Sequence, residues 1–132
     1  MFVKLNPTFA LWLIVNSVFL EANSEKHYQA IFAKKMEGKE EVLLPDKTRC
    51  DVVTETHAVE VEFARKWTEG LGQSLWYSFQ LNKKPGVVLI IEDEKDRRFL
   101  VRLKSLLKHR KLDDVQIWTI TQEGSITQEK AN

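Results

Sequence analysis

The sequence has few of the groups from which common cofactor and catalytic sites are built. Among its 132 residues there is one cysteine, Cys50, so the chain can form neither an internal disulfide nor a cysteine-based zinc site. It contains no P-loop, no Gly-x-Ser-x-Gly segment and no pair of histidines at metal-ligand spacing. With 20 Lys and Arg against 19 Asp and Glu, the net charge is +1. Any attraction to nucleic acid or to an anionic membrane must therefore come from local patches.

Residues 1–22 differ in character from the rest of the chain. Lys4 precedes an apolar run over residues 9–20, which is too short for a comfortable membrane span and is interrupted by Asn16 and Ser17. This layout predicts a secretory signal peptide. A mistaken upstream start codon and a short membrane anchor are the alternatives. We therefore expect export to the periplasm or the medium if the leader is genuine, and a cytoplasmic protein otherwise.

The remainder of the chain has the composition of one globular domain, which we place at residues 23–122. Its residue patterns predict the order helix, three strands, helix, strand, helix, strand, over residues 24–38, 40–45, 49–53, 57–63, 64–81, 87–93, 94–112 and 113–120. Residues 123–132 are interpreted as a polar tail. This order predicts an α/β sandwich with a mixed central sheet.

The two middle strands form a predicted hairpin that brings acidic residues together. If residues 54–57 are a four-residue loop, Val53 pairs with Ala58 and Asp51 faces Glu60. Like charges that face each other across a sheet are destabilising. Either water separates the two carboxylates on a solvated polar face, or a cation lies between them.

If a divalent cation lies between the two carboxylates, the hairpin could form a catalytic site. Mg²⁺ and Mn²⁺ prefer oxygen ligands, and such an ion between Asp51 and Glu60 would polarise a phosphodiester and lower the pKa of a bound water. Strand alternation places Glu62 on the same face as Glu60, where its carboxylate could accept a proton from that water. The three acids therefore predict a metal-dependent hydrolytic site.

The helix that follows Glu62 carries a polar line at helical spacing, formed by Lys66, Gln73 and Tyr77. It lies opposite a predicted apolar stripe. The stripe comprises Trp67, Leu71, Leu75 and Phe79. An amine, an amide and a phenol are suited to orienting a phosphate or a water, and the amine could balance negative charge in a transition state. The alternative is an ordinary polar helix face, with Lys66 paired to Glu62 or Glu69.

These residues resemble the motifs of a known nuclease group. Asp51, followed after eight residues by Glu60-x-Glu62 in this order of elements, is similar to the PD-(D/E)xK nuclease superfamily, which has a restriction-endonuclease-like fold. The segment Gln73-x-x-x-Tyr77 resembles the helix motif of its RecB-type exonuclease branch. The resemblance implies that Asp51 and Glu60 are metal ligands and that the cofactor is Mg²⁺ or Mn²⁺.

The resemblance covers residues 24–120 and has one departure. Glu25 matches a position on the first helix where many members carry a further metal-linked Glu. The superfamily usually has Lys two residues after the second acid, and this chain has Glu62 there. Some members carry Glu-x-Glu and others place the Lys elsewhere, for which Lys66 is the candidate.

A basic helix supplies candidates for contact with nucleic acid. Residues 95–111 carry eight Lys or Arg against one Asp. Arg98, Arg102 and Lys108 could bind phosphates, although a solvated basic face is the alternative. We therefore predict a metal-dependent nuclease that hydrolyses DNA, with RNA and homodimer formation left open. The alternatives are a catalytically inactive module of the same fold that binds nucleic acid or a protein, and a small structural protein of the cell envelope.

Overall fold

The computed structural model describes residues 24–130, so the leader predicted at residues 1–22 lies outside the described part of the chain. In this part, the helices are α1 (Glu25–Met36), α2 (Trp67–Leu81) and α3 (Arg97–Arg110), with 3-10 turns at Ala64–Lys66 and Glu94–Asp96. The strands are β1 (Lys39–Leu43), β2 (Arg49–Val53), β3 (His57–Phe63), β4 (Lys84–Ile91), β5 (Gln116–Thr121) and β6 (Ile126–Glu129). None of these helices has the length and apolar character that a membrane crossing requires.

The six strands form one sheet in the order β1-β2-β3-β4-β5-β6. The pairs β1–β2, β2–β3 and β5–β6 are antiparallel, whereas β3–β4 and β4–β5 are parallel. Parallel neighbours need crossover connections, which α2 and α3 provide. The predicted α/β class with a mixed sheet is therefore confirmed.

Helices cover both faces of the sheet, because β4 is apolar on both sides. The core beneath α1 contains Tyr28, Phe32, Val52, Val59, Val61, Val88, Ile90, Trp118 and Ile120. The core beneath α2 and α3 contains Leu71, Val87, Leu89, Ile91, Leu100, Leu103, Leu107, Val115 and Ile117. Since Val59 and Val61 point to the α1 side, period-two alternation directs Glu60 and Glu62 to the side of α2.

The predicted hairpin register is present. Val53 pairs with Ala58, and Val52 pairs with Val59. The amine of Lys83 fixes the connecting loop, since it donates to the carbonyl oxygens of the loop residues 54 and 55 at 2.8 and 2.7 Å.

The segment predicted to be a polar tail, residues 123–132, contains a strand. Ile126–Glu129 forms β6, which pairs with β5 at an edge of the sheet. Ile126 packs against the core beneath α1, and the carboxylate of Glu129 accepts a hydrogen bond from the Thr119 hydroxyl at 3.0 Å. These contacts outweigh the polar composition of the segment, which taken alone favours a loop.

Candidate functional site

The acidic site begins where β2 and β3 separate. Beyond the pair Val52–Val59, side chains take over the hydrogen bonding between the strands. The amide of Asp51 donates to Oε1 of Glu60 at 3.1 Å, and the amide of Val61 donates to Oδ2 of Asp51 at 2.9 Å. Each carboxylate is thus held by a backbone amide of the opposite strand, so the structure brings Asp51 and Glu60 together.

Two of the acids are buried against α2. The side chains of Glu60 and Glu62 are only 3% and 7% exposed. Gly70, in the second turn of α2, lies directly over Glu62, and a Cβ at this glycine would come within 3.0 Å of Cγ of Glu62. The missing side chain at Gly70 therefore allows the helix to close over the carboxylates.

Burial and mutual repulsion raise the pKa values of these acids. Burial, followed by the charge of Asp51, raises the pKa of Glu60 to about 9. Burial, followed by the charge of Glu25, raises the pKa of Glu62 to about 8. The pKa of Asp51 is also raised, chiefly by burial. Without a cation, the cluster therefore holds protons at neutral pH, and a bound cation would favour the ionised forms.

Glu25 and Lys66 complete the cluster from outside the hairpin. Nζ of Lys66, in the turn after β3, donates to Oε1 of Glu25 at 3.4 Å, which joins that turn to the start of α1. Both side chains are partly exposed. Lys66 therefore pairs with Glu25 rather than with Glu62 or Glu69, although its charge still lowers the pKa of Glu62.

The structure separates Gln73 from Tyr77, although both belong to the predicted polar line of the helix. Gln73 is exposed, whereas the buried positions of this helix are Gly70, Leu71, Ser74, Tyr77 and Ser78. The 3-10 turn before α2 sets the phase of the helix, and this phase directs position 73 to solvent. Tyr77 is buried, and its pKa is raised by burial and by the charge of Glu60.

The predicted apolar stripe of α2 also ends early. Trp67 and Leu75 pack with Leu71 against the core beneath α2 and α3, but Phe79 is 76% exposed. Phe79 stacks instead on the neighbouring Trp76.

One acidic neighbour of the site was missed by the sequence reasoning. Glu41 in β1 has a positive φ of 51°, and its charge contributes to the raised pKa of Asp51. The buried amide of Gln29 on α1 holds it, with Nε2 donating to Oε1 of Glu41 at 3.2 Å. The only sequence signal was the pair of adjacent acids in a strand, and it carried no information on the pairing of β1 with β2.

The basic residues of α3 lie on its solvent side. Arg98, Arg102 and Lys108 are exposed, and the guanidinium groups of Arg98 and Arg102 lie 4.7 and 5.3 Å from the ring centre of Phe99. The helix packs on the same sheet face as the buried acids and contacts the turn Ala64–Lys66. It is therefore placed beside the cluster, and its charges point to solvent.

The donor chemistry of the cluster fits a hard divalent cation. Asp51 and Glu60 supply carboxylate oxygens, and magnesium sites in proteins often use one or two carboxylates together with water. Oε2 of Glu62 is buried and has no hydrogen-bond partner among residues 24–130. Over the same residues, no three acidic, histidine or cysteine side chains are already gathered at metal-binding distance.

Comparison of the chain with protein family models, with curated proteins and with solved structures found no match. The fold and the site together define the class of the protein. It is an α/β protein with a six-stranded mixed sheet and an acidic cluster buried between β2, β3 and α2.

Proposed function

We propose that the protein is a Mg²⁺- or Mn²⁺-dependent nuclease that hydrolyses phosphodiester bonds of DNA. The observation that carries this proposal is the burial of Glu60 and Glu62 beside Asp51, with raised pKa values that a divalent cation would lower. The motif Asp51-x8-Glu60-x-Glu62 supports assigning the fold to the restriction-endonuclease-like arrangement of the PD-(D/E)xK superfamily. If residues 1–22 direct export, the substrate would be extracellular DNA.

In this proposal, Asp51 and Glu60 hold the cation, which supplies Lewis acidity and lowers the pKa of water when bound. Glu62 would accept a proton from the water that attacks phosphorus, while the bond from phosphorus to the 3′ oxygen breaks and that oxygen leaves, taking up a proton from solvent. The free oxygen of Glu62 and its raised pKa suit a base that works near neutral pH. Lys66 places a positive charge beside the cluster, where negative charge develops on the phosphate. Tyr77 holds its buried phenol close to Glu60 as a positioning residue.

Contact with the DNA backbone is assigned to α3. Arg98, Arg102 and Lys108 are exposed on one helix, and such cations bind phosphates without regard to sequence. Because each phosphate contact releases counterions, binding through this surface weakens as the salt concentration rises.

The proposal is tested by titrating Mg²⁺ and Mn²⁺ into the full-length chain in a calorimeter and by assaying cleavage of plasmid and single-stranded DNA in parallel. Asp51→Asn and Glu60→Gln should lose both cation binding and cleavage, since each removes one carboxylate ligand. Asp114→Asn is the matched control, because Asp114 is an exposed acid outside the cluster, and this variant should behave as the wild type. Cleavage that persists in Asp51→Asn, or a wild type that binds neither ion, would contradict the proposal.

A catalytically inactive module that binds nucleic acid is the second candidate. Two observations favour it: Glu62 stands where the superfamily usually has Lys, and residues 24–130 contain no preformed group of three metal-ligating side chains. Under this alternative, the wild type would bind DNA in a salt-dependent way without cleaving it. Asp51→Asn would then bind as the wild type does, whereas Arg98→Glu would weaken binding.

A further inference from the structure

An exposed pair of stacked aromatic rings lies on the outer face of α2. The rings of Trp76 and Phe79 are 5.8 Å apart between centres, with an angle of 21° between their planes. Trp76 is 50% exposed and Phe79 is 76% exposed, so a large apolar surface faces water. Gln73 lies one turn earlier on the same face and is also exposed.

The pair is held in place. The indole N–H of Trp76 donates to Oδ2 of Asp46 at 2.9 Å, and the amide of Thr48 donates to Oδ1 of the same aspartate at 3.1 Å. These bonds tie the outer face of α2 to the turn between β1 and β2. The indole ring of Trp76 is therefore oriented before any ligand arrives, which reduces the entropy that binding would lose.

The aromatic pair and the glycine that covers the acidic cluster belong to the same helix. Gly70, which covers Glu62, and Trp76 are six residues apart in α2, or about 9 Å along the helix axis. Tyr77, the next residue after Trp76, is near enough to Glu60 for that charge to raise its pKa.

We infer that Trp76 and Phe79 form a stacking platform for unpaired bases of single-stranded nucleic acid. The inference rests on the proposed nuclease function and narrows its substrate to strands with unpaired bases. An aromatic face stacks on any base without sequence preference, whereas the bases of an intact duplex are already stacked on each other. Lys47, in the turn that holds Trp76, and Arg49, at the start of β2, are exposed and supply positive charge for the phosphates.

The test measures binding of a fluorescein-labelled oligothymidylate of about 12 nucleotides to the full-length chain by anisotropy, in EDTA so that cleavage does not interfere. A duplex of the same length is the comparison ligand. Trp76→Ala and Phe79→Ala should each weaken single-strand binding by roughly 5- to 100-fold and change duplex binding by about twofold or less. Trp76→Phe should retain most of the affinity, since it keeps an aromatic face.

The matched control is Val101→Ala, because Val101 is an apolar residue of similar exposure (62%) on α3. It should leave single-strand binding unchanged. A second readout is the slope of log K against log salt: Phe79→Ala should preserve it, because stacking releases no counterions, whereas Lys47→Ala should reduce it by about one. A merely structural role of Phe79 would weaken single-strand and duplex binding alike.

The outcomes separate this inference from the proposed function. If Phe79→Ala binds oligothymidylate as the wild type does, or if the wild type does not bind it, the stacking platform is refuted even when metal-dependent cleavage is present. If the aromatic variants lose affinity while the wild type neither binds Mg²⁺ nor cleaves DNA, the platform stands and the nuclease proposal fails. A surface that serves a protein partner would leave oligothymidylate binding unaffected by the aromatic variants, which also refutes the platform.

Discussion

In EDTA, raising the pH from about 5 to about 8 should destabilise the protein, and Glu60→Gln should remove the part of that loss that comes from Glu60. The side chain of Glu60 is 3% exposed, and its pKa is raised from 4.5 to about 9 by burial and by Asp51. The folded protein therefore keeps a proton in the acidic cluster that the unfolded chain releases at a much lower pH. Glutamine keeps the oxygen that accepts the Asp51 amide and carries no charge at any of these pH values.

The sign and size of this loss of stability follow from the pKa values of Glu60 in the unfolded and folded states, which are 4.5 and about 9. Since the folded state binds more protons than the unfolded state between pH 4.5 and about 9, the free energy of unfolding falls as the pH rises through this window. The stabilisation that comes from the protonated form of Glu60 is fully present below pH 4.5 and is lost as the pH rises toward about 9. A difference of one bound proton between the folded and unfolded states lowers the free energy of unfolding by up to about 1.4 kcal/mol for each pH unit, or about 3 kcal/mol over two pH units. Such a loss would lower the Tm of a domain of this size by more than about 10 °C.

The assay is urea unfolding of the full-length chain in EDTA at several pH values between about 5 and 8. Glu60→Gln should show a shallower pH dependence than the wild type, because only the contribution of Glu62 and Asp51 remains, and a higher stability at about pH 8. Glu69→Gln is the control, because Glu69 is an exposed acid on the same helix as the glycine that covers the cluster, and it should follow the wild type. Added Mg²⁺ should restore stability at about pH 8 in the wild type and not in Glu60→Gln. A wild-type stability that is constant or rises over this range would refute the buried protonated carboxylate.

Three further outcomes are expected. Cation binding at about pH 7 should release up to about two protons per ion, because the pKa values of Glu60 and Glu62 are about 9 and about 8 and both carboxyls ionise when the cation binds; calorimetric heats that do not depend on the ionisation enthalpy of the buffer would contradict this. Gly70→Ala should lower the free energy of unfolding by about 1–3 kcal/mol through crowding against buried Glu62, whereas Gly72→Ala, which meets no atom within 4 Å, should raise it by roughly 0.5–1 kcal/mol. Equal effects of the two alanines in urea unfolding would show that α2 does not close on the acid. Gln73→Ala should change the cleavage rate by about twofold or less, since Gln73 faces solvent, and a larger loss would place its amide at the reacting phosphate.

Features that depend on residues near each other in the chain could be predicted from the amino-acid sequence alone. Period-two alternation in the two middle strands and a four-residue loop predicted the pairing of Val53 with Ala58, which brings Asp51 beside Glu60. The change from strand to helix periodicity after Phe63 placed α2 correctly, and the crossover helices between buried strands implied a mixed sheet. Local geometry alone sets these relations, so they can be inferred without a structure.

The packing of the helices and edge strands around the acids depends on contacts between residues that are far apart in the chain. The phase of α2 depends on the 3-10 turn before it, and this phase buries Glu62 beneath Gly70 while it turns Gln73 to solvent. The ion pair of Lys66 with Glu25 joins residues 41 positions apart in the chain. No spacing rule relates groups so distant in sequence, because their proximity depends on how whole elements pack.

The packing of whole elements also explains why the sequence did not predict the strand β6 or the position of Glu41 beside Asp51. The residues of β6 have a polar composition, and they form a strand because β5 offers an unpaired edge and the core accepts Ile126. Glu41 approaches Asp51 through a positive φ and the amide of Gln29, which reaches it from a different helix. The chain therefore specified which acids are present and which two face each other. Packing against α1 and α2 decided that these acids are buried, and burial is the physical cause of their raised pKa values.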